Sequence, residues 1–260
     1  MAQSYHIGRD QAKVGGYSGI GGFFSLNWRI IMLQFHYKDL TIEVFKDPEH
    51  SQGSADNVNS YKLYTESEDH SGNQVGIKIF KDGNEINSCL VSKPGGVSWV
   101  GDTSVLLDDD HLLICCSEYL FCLSVPSLEV KWKTEVDIAD CKQVFKLEND
   151  YVTHGEISIS RIGKDGTIKW QTGGRDIFVS LDGEEEFQLM DDHIILTDFV
   201  GNIYKVDFNG ESELIKDVEL KRGPKKLTGK AKLLFYTLLV LIYSILLALL
   251  LGVTWLIYTA

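Results

Sequence analysis

Three times in this chain an alternating apolar run breaks at an acidic turn and then resumes. The stretches that begin at Val105, Phe145 and Phe187 share the pattern apolar-x-Leu, a turn rich in Asp and Asn, and a second apolar run. Their turn residues Asp110, Asp150 and Asp192 stand 40 and 42 positions apart. Each unit continues through another strand-like run, 119–124, 156–162 and 202–207, to a second turn at Pro126-Ser127, Asp165-Gly166 and Asn209-Gly210. Two units then reach a tryptophan, Trp132 and Trp170, whereas the third has residues 211–214 in that place and no Trp. A fainter copy occupies 76–86. Short runs of Val, Ile, Phe and Tyr bounded by Asp-Gly and Asn-Gly read as antiparallel strands joined by hairpins. A period near 42 residues with about four strands per unit is the spacing of propeller blades. A lone four-stranded blade cannot cover both of its faces, so blades must stack. Trp132 and Trp170, just past the second turn, are expected to cap the contact between one blade and the next. The fold class this predicts is all-β, built of propeller-like antiparallel blades of about 42 residues.

The unit Asp165-Gly-Thr-Ile-Lys-Trp170 resembles repeats of the quinoprotein-like (PQQ-type, WD40-like) β-propeller superfamily, and the likeness covers roughly residues 73–214. The chain departs from that family in lacking the Ala-x-Asp-x-x-Thr-Gly run ahead of the Trp. It also has three clear units and a fourth faint one where the family has seven or eight. No quinone-binding set can be carried over, so no cofactor is expected. Four blades leave two arrangements open. They close a small ring, with residues 33–45 completing the last blade, or they form an open arc whose unpaired edges invite another chain.

The C-terminus obeys different rules. Residues 233–258 carry no charge and include eleven Leu, three Ile, two Val and one Phe. A bilayer core is spanned by about 20 apolar residues, and these side chains favour insertion by roughly 5–10 kcal/mol. A transmembrane helix is therefore expected at 233–258. Lys221, Arg222, Lys225, Lys226, Lys230 and Lys232 crowd its N-terminal side, and only Thr259 and Ala260 follow it. Positive charge stays on the cytoplasmic side, which predicts a tail-anchored protein with its head in the cytoplasm. Residues 1–22 are polar and Gly-rich, unlike a secretory signal. Ser244, Ala248 and Gly252 lie four apart on one helical face. Such a small-residue face lets two spans approach closely, a route to a homodimer.

Charge divides the same way. All 37 acidic residues and nineteen of the 25 basic ones lie in 1–220, a balance of −18, against +6 in the tail and −12 overall. A head this acidic is repelled by nucleic acid, so no nucleic-acid partner is expected, and it suits a basic protein partner. The tail suits anionic headgroups of the lipid bilayer. The five cysteines, Cys89, Cys115, Cys116, Cys122 and Cys141, show no zinc spacing and read as reduced core residues in a cytoplasmic head.

Three constellations carry residue types suited to chemistry. Asp108, Asp109, Asp110 and His111, with Asp191, Asp192 and His193, are the residue types that hold a divalent cation. They recur at one turn of the repeat, where Asp and Asn serve turn formation, so no metal site is expected. Cys122 and His111 make a conceivable nucleophile pair on neighbouring strands, but Cys122 sits in a core-type strand. The glycine pairs 15–16, 21–22, 95–96 and 173–174 lack the strand–turn–helix context of a phosphate loop. No catalytic residue is assigned.

The expected organisation is therefore a flexible or mis-started segment at 1–31, a propeller-like β domain at 32–220, a basic linker at 221–232 and the transmembrane helix at 233–258. The expected function is a membrane-held protein-interaction module: a scaffold, an adaptor or an inhibitor of immunity type. The alternative is a membrane-tethered enzyme or small-ligand receptor at the propeller mouth, using carboxylates of loops 182–186 and 108–111.

Overall fold

A computed structural model describes residues 32–65, 73–180 and 185–218. They form four antiparallel sheets, each built from strands consecutive in the chain. Blade 1 comprises β1 (Met32–Tyr37), β2 (Leu40–Lys46), β4 (Gln74–Lys81) and β5 (Asn84–Ser92), with the two-residue β3 (Leu63–Tyr64) added parallel to β5 at its outer edge. Blade 2 comprises β6 (Val105–Asp108), β7 (His111–Cys116), β8 (Tyr119–Ser124) and β9 (Val130–Glu135). Blade 3 comprises β10 (Cys141–Leu147), β11 (Asp150–Gly155), β12 (Ser158–Ile162) and β13 (Ile168–Gly173). Blade 4 comprises β14 (Phe187–Leu189), β15 (His193–Thr197), β16 (Ile203–Asp207) and β17 (Ser212–Lys216). The architecture is all-β and propeller-like.

Alternation along each strand sends side chains to both faces of a blade, and both faces of the middle blades are buried. One core joins blades 1 and 2 through Ile42, Val44, Ile77, Ile79, Leu112, Ile114 and Phe121. A second joins blades 2 and 3 through Leu113, Cys115, Val144, Tyr151 and Ile162. A third joins blades 3 and 4 through Val152, Ile159, Phe187, Ile194, Leu196 and Val206. Among the described residues no core cluster joins blade 4 to blade 1.

Two sequence expectations change here. Residues 33–45 do not complete the last blade: β1 and β2 pair with each other and β2 with β4, so they open blade 1. The faint copy at 76–86 is the other half of that same blade. Asp150 is also not a turn residue. The turn of blade 3 is Glu148-Asn149, and Asp150 opens β11 opposite Leu147, one position out of step with Asp109-Asp110 in blade 2. Glu148 and Asp109 take the left-handed conformation (φ 54° and 53°), which sets where each turn closes.

The polar stretch 47–65 folds in part onto blade 1. Tyr61 and Phe45 lie over Gly76, where a Cβ would meet the Phe45 ring at 2.8 Å. Tyr61 donates to Asp47 (2.5 Å), Asn59 donates to the same carboxylate (3.0 Å), and His50 packs on Tyr61 and Tyr64 with ring centroids 5.0 and 5.8 Å apart. The end blade of a stack has no neighbour to cover its outer face, and this aromatic cap supplies the cover.

Candidate interaction surface

Antiparallel order gives the head two ends. The first-to-second and third-to-fourth strand turns of every blade lie at one, the turn end. The second-to-third turns and the blade-to-blade connections lie at the other, the loop end.

At the turn end a single latch recurs. A residue one or two positions before each last strand has positive φ: Gly83 (79°), Leu128 (58°), Gly166 (85°) and Gly210 (92°). Four positions later stand Asn87, Trp132, Trp170 and Leu214. Trp132 Nε1 donates to the Lys164 carbonyl (2.9 Å) and Trp170 Nε1 to the Phe208 carbonyl (3.0 Å), each two residues before the next blade's glycine. Each indole lies against that glycine: a Cβ on Gly166 would stand 2.7 Å from Trp132 Cδ2, and one on Gly210 2.7 Å from Trp170 Cγ. Asn87 fills the same place in blade 1, its Nδ2 donating to the carbonyls of Pro126 (3.0 Å) and Ser127 (2.6 Å). The sequence reading found the two tryptophans and missed Asn87, which shares their spacing from the positive-φ residue and not their chemistry.

A bulge aims the latch. In blades 1 to 3 the last strand skips one residue against its partner, Ile86, Lys131 and Lys169, directly before the latch residue. In blade 4 the skipped residue is Ile215, after Leu214, so Leu214 pairs with Tyr204 and packs back into the core between blades 3 and 4. Because a bulge re-aims the side chains beyond it, the series of latches stops there.

Buried carboxylates reinforce the turn end. Asp108 of blade 2 accepts from Lys146 (2.5 Å), Lys164 (2.9 Å) and Tyr151 (2.9 Å), all of blade 3. Burial pushes this carboxyl up, but those three donors outweigh it and hold it down at about 2. Asp150 accepts from Arg161 Nε (2.6 Å) and Lys169 Nζ (2.7 Å), and Arg161 Nη1 reaches across to the Phe208 carbonyl of blade 4 (2.8 Å). Exposed carboxylates surround these: Asp39, Asp82, Asp109, Glu129, Glu148, Asp165, Asp191, Asp192 and Glu211 all stand on turns of this end. Lys81 is paired with Asp39 (2.7 Å), and Arg161 with Glu148 (2.9 Å).

At the loop end the connections are tied in series. Val97 N–H donates to the Asp140 carboxylate, Glu156 N–H to the Asp140 carbonyl (2.9 Å), Phe178 N–H to the Glu156 carbonyl (2.7 Å) and Phe199 N–H to the Ile177 carbonyl (2.7 Å). Buried Asp137 accepts from Ile157 N–H, Ser158 N–H and the Ser158 hydroxyl. Buried Asp198 accepts from Val200 and Asn202 N–H and from the Tyr204 hydroxyl. On this braced platform the apolar side chains of Val97, Trp99, Ile138 and Phe199 face solvent. Sequence reading passed over them, although an unpaired Trp in the run Gly95-Gly-Val-Ser-Trp99 was a visible signal.

The remaining candidates take structural places. Asp110 and Asp192 each bond the neighbouring histidine, His111 at 2.8 Å and His193 at 2.5 Å. The other His111 nitrogen meets Lys131 Nζ at 2.8 Å, and burial pushes the Cys122 thiol up to about 11, which disfavours a thiolate. All five cysteines are free and buried, with the Cys115 and Cys141 sulfurs 3.0 Å apart between blades 2 and 3. His154 is buried on Phe187, bonded to Gln143 through Nδ1 (2.9 Å) and without a partner at Nε2. Burial, with Lys142 nearby, pushes its pKa down to about 3. Residues 182–184 of the proposed mouth loop lie outside the described residues, as do Lys221, Arg222, Lys225, Lys226, Lys230, Lys232, Ser244, Ala248 and Gly252. Among the described residues no helix is long and apolar enough to cross a membrane. The expected span at 233–258 falls outside them.

No family model matches the chain, and no curated protein does. Among solved structures it is similar to BamB from Moraxella catarrhalis, with 12% identity over 74% of this chain and 62% of that one and a TM-score of 0.44. It is similar also to the Pan2 WD40 domain of Neurospora crassa, with 13% identity over 43% and 36% of the two chains and a TM-score of 0.35. A third is the AfRom2 CNH domain, with 10% identity over 74% and 70% and a TM-score of 0.36. The chain thus spans less than two thirds of the BamB chain.

Proposed function

We propose that the chain is a tail-anchored membrane protein whose cytoplasmic head is a protein-interaction module for a basic partner. The observation that carries this reading is the turn end of the head. There nine exposed carboxylates, Asp39, Asp82, Asp109, Glu129, Glu148, Asp165, Asp191, Asp192 and Glu211, stand on turns held rigid by the latches and by buried Asp108 and Asp150. An excess of negative charge on a fixed surface steers an oppositely charged protein and speeds its capture. The basic stretch at 221–232 and the uncharged run at 233–258 support the anchor.

The test uses the full chain in membranes. Partners are captured at low salt from cells carrying the parent or the D109K/D191K/D192K variant. The proposal predicts a partner with a basic surface, released as salt rises, and recovery at least tenfold lower with the variant. Equal recovery of the same partner with parent and variant overturns it. Carbonate extraction in the same cells tests the anchor: a protein that leaves the membrane with the wash is not tail-anchored.

A further inference from the structure

The chain leaves the described head at its loop end. Val218, the last described residue, donates its N–H to Asn202 Oδ1 (2.7 Å), and its side chain lies beside Gly201 in the turn between β15 and β16. That same end exposes the apolar side chains of Ile138 (77% exposed), Trp99 (64%), Val97 (48%) and Phe199 (47%). Phe199 precedes Gly201 by two residues, so the exit point and the patch share a turn.

The patch is not a loose loop tip. Asp140 holds the 93–104 connection through Val97 N–H, and the tie from Phe199 to Ile177 holds the blade 4 turn to the connection before it. Trp99 and Ile138 are therefore displayed on connections whose backbone is already bonded, so little ordering is needed to bury them.

We infer that this loop face is a second membrane contact, a lipid-facing surface on which Trp99, Ile138, Val97 and Phe199 enter the interfacial layer of a zwitterionic bilayer. The inference rests on the tail-anchor reading above. Residues 219–232 are the fourteen that separate Val218 from the uncharged run. Fully extended they reach about 50 Å at most, which bounds the distance from Val218 to the expected span. The chain's exit at Val218 lies on the loop face, the end of the head nearest along the chain to the expected span. Tryptophan with its apolar body and N–H suits the headgroup boundary. Asp102, Glu118, Glu156 and Asp176 stand on the same loops. They disfavour an anionic surface, so the lipid contact is apolar and independent of anionic headgroups.

The test reconstitutes the full chain into phosphatidylcholine vesicles containing lipid brominated at a shallow acyl position. Tryptophan emission is compared for the parent, Trp99→Phe and Trp255→Phe. The expected result is a quenched component that disappears in Trp99→Phe, is unchanged by tenfold more salt, and falls by at least half in Ile138→Asp. Both loop variants alter exposed side chains, and unchanged thermal unfolding confirms that they fold. If Trp99→Phe leaves shallow quenching as in the parent while the protein stays carbonate-resistant, or if Trp99 stays as open to aqueous iodide in vesicles as in detergent micelles, the lipid-contact inference is wrong and the anchor stands. If the parent is washed from the vesicles by carbonate, the anchor reading fails and the inference falls with it.

Discussion

Trp170 of blade 3 lies against Gly210 of blade 4, so closely that a Cβ on the glycine would stand 2.7 Å from the indole Cγ, and its N–H donates to the Phe208 carbonyl two residues earlier. Trp132 and Gly166 repeat the relationship one blade back. Gly210 is needed twice, for its φ of 92° and for the room its missing Cβ leaves the ring. Trp170→Ala removes a half-buried indole and is expected to cost about 2–3 kcal/mol. Gly210→Ala adds a clash and backbone strain and is expected to cost roughly 2 kcal/mol. Because the clash needs the ring, the two costs will not add: part of the Gly210→Ala penalty vanishes in a Trp170→Ala background. Urea unfolding of the four proteins in one detergent measures the coupling, and strict additivity would show that the contact carries no energy.

Asp108 is the acid on which blade 3 closes over blade 2. Its folded pKa is depressed to about 2, below the usual carboxylate value. The sign follows: its contribution is present above the unfolded pKa near 3.9 and is lost as pH falls toward 2. Lys146 and Lys164 are about half exposed, which tempers the ion-pair share. Asp108→Asn is expected to destabilise the head at pH 7 by about 2 kcal/mol, the scale of hydrogen bonds to a charged group. The loss should shrink when the comparison is made at pH 3. Paired denaturation curves at the two pH values check both statements.

His154 acts in a different window. Burial lowers its folded pKa to about 3, below the unfolded value near 6.5. The folded state therefore binds fewer protons than the unfolded state between those values. The stability His154 contributes is full above pH 6.5 and is lost as pH falls toward 3, at up to about 1.4 kcal/mol per pH unit. His154→Gln, whatever it costs at neutral pH, should flatten the dependence of unfolding free energy on pH between 6.5 and 4. An unchanged slope would assign acid sensitivity to other groups.

The five thiols should be silent in the folded head. Burial pushes Cys89 and Cys116 up to about 12 and Cys122 up to about 11, and raises Cys141 as well. The thiolate is the reactive form, so alkylation at pH 8 should proceed only as fast as the head opens. Mass spectrometry after iodoacetamide treatment should find unmodified protein under native conditions and five adducts in urea. A rapidly labelled cysteine would identify a site that opens locally.

Much of this architecture is legible without coordinates. The short apolar runs at 112–116 and 119–124 and the alternation at 203–207, punctuated by acidic, Asp-Gly and Asn-Gly turns, specify strands and hairpins because strands buried on both faces are apolar throughout, half-buried ones have period two, and positive-φ turns favour Gly and Asn. The spacing of Trp132 and Trp170 from their turns marks the end of a blade for the same local reason. Asp150 was misplaced because a one-residue shift in a turn leaves composition unchanged while moving the carboxylate from solvent to Arg161 and Lys169. Residues 33–45 were assigned to the wrong blade because pairing of β2 with β4 spans an insertion, and no local pattern records which strands meet across it.

By itself the sequence determined the repeating unit, the turn before each last strand, the apolar runs that bury both faces of the middle blades, and the separation of an acidic head from a basic linker and an uncharged run. Those properties follow from backbone geometry and transfer free energy read over a few residues. The tertiary structure decided what depends on residues distant in the chain: that Asn87 does the work of a tryptophan, that Tyr61 caps blade 1 through the space above Gly76, that a bulge displaced past Leu214 ends the series of latches, and that Trp99, Ile138 and Phe199 share the face from which the chain departs. A side chain's direction across a blade interface is set by where the ladder skips a residue, and that is settled only when the neighbouring strand is in place.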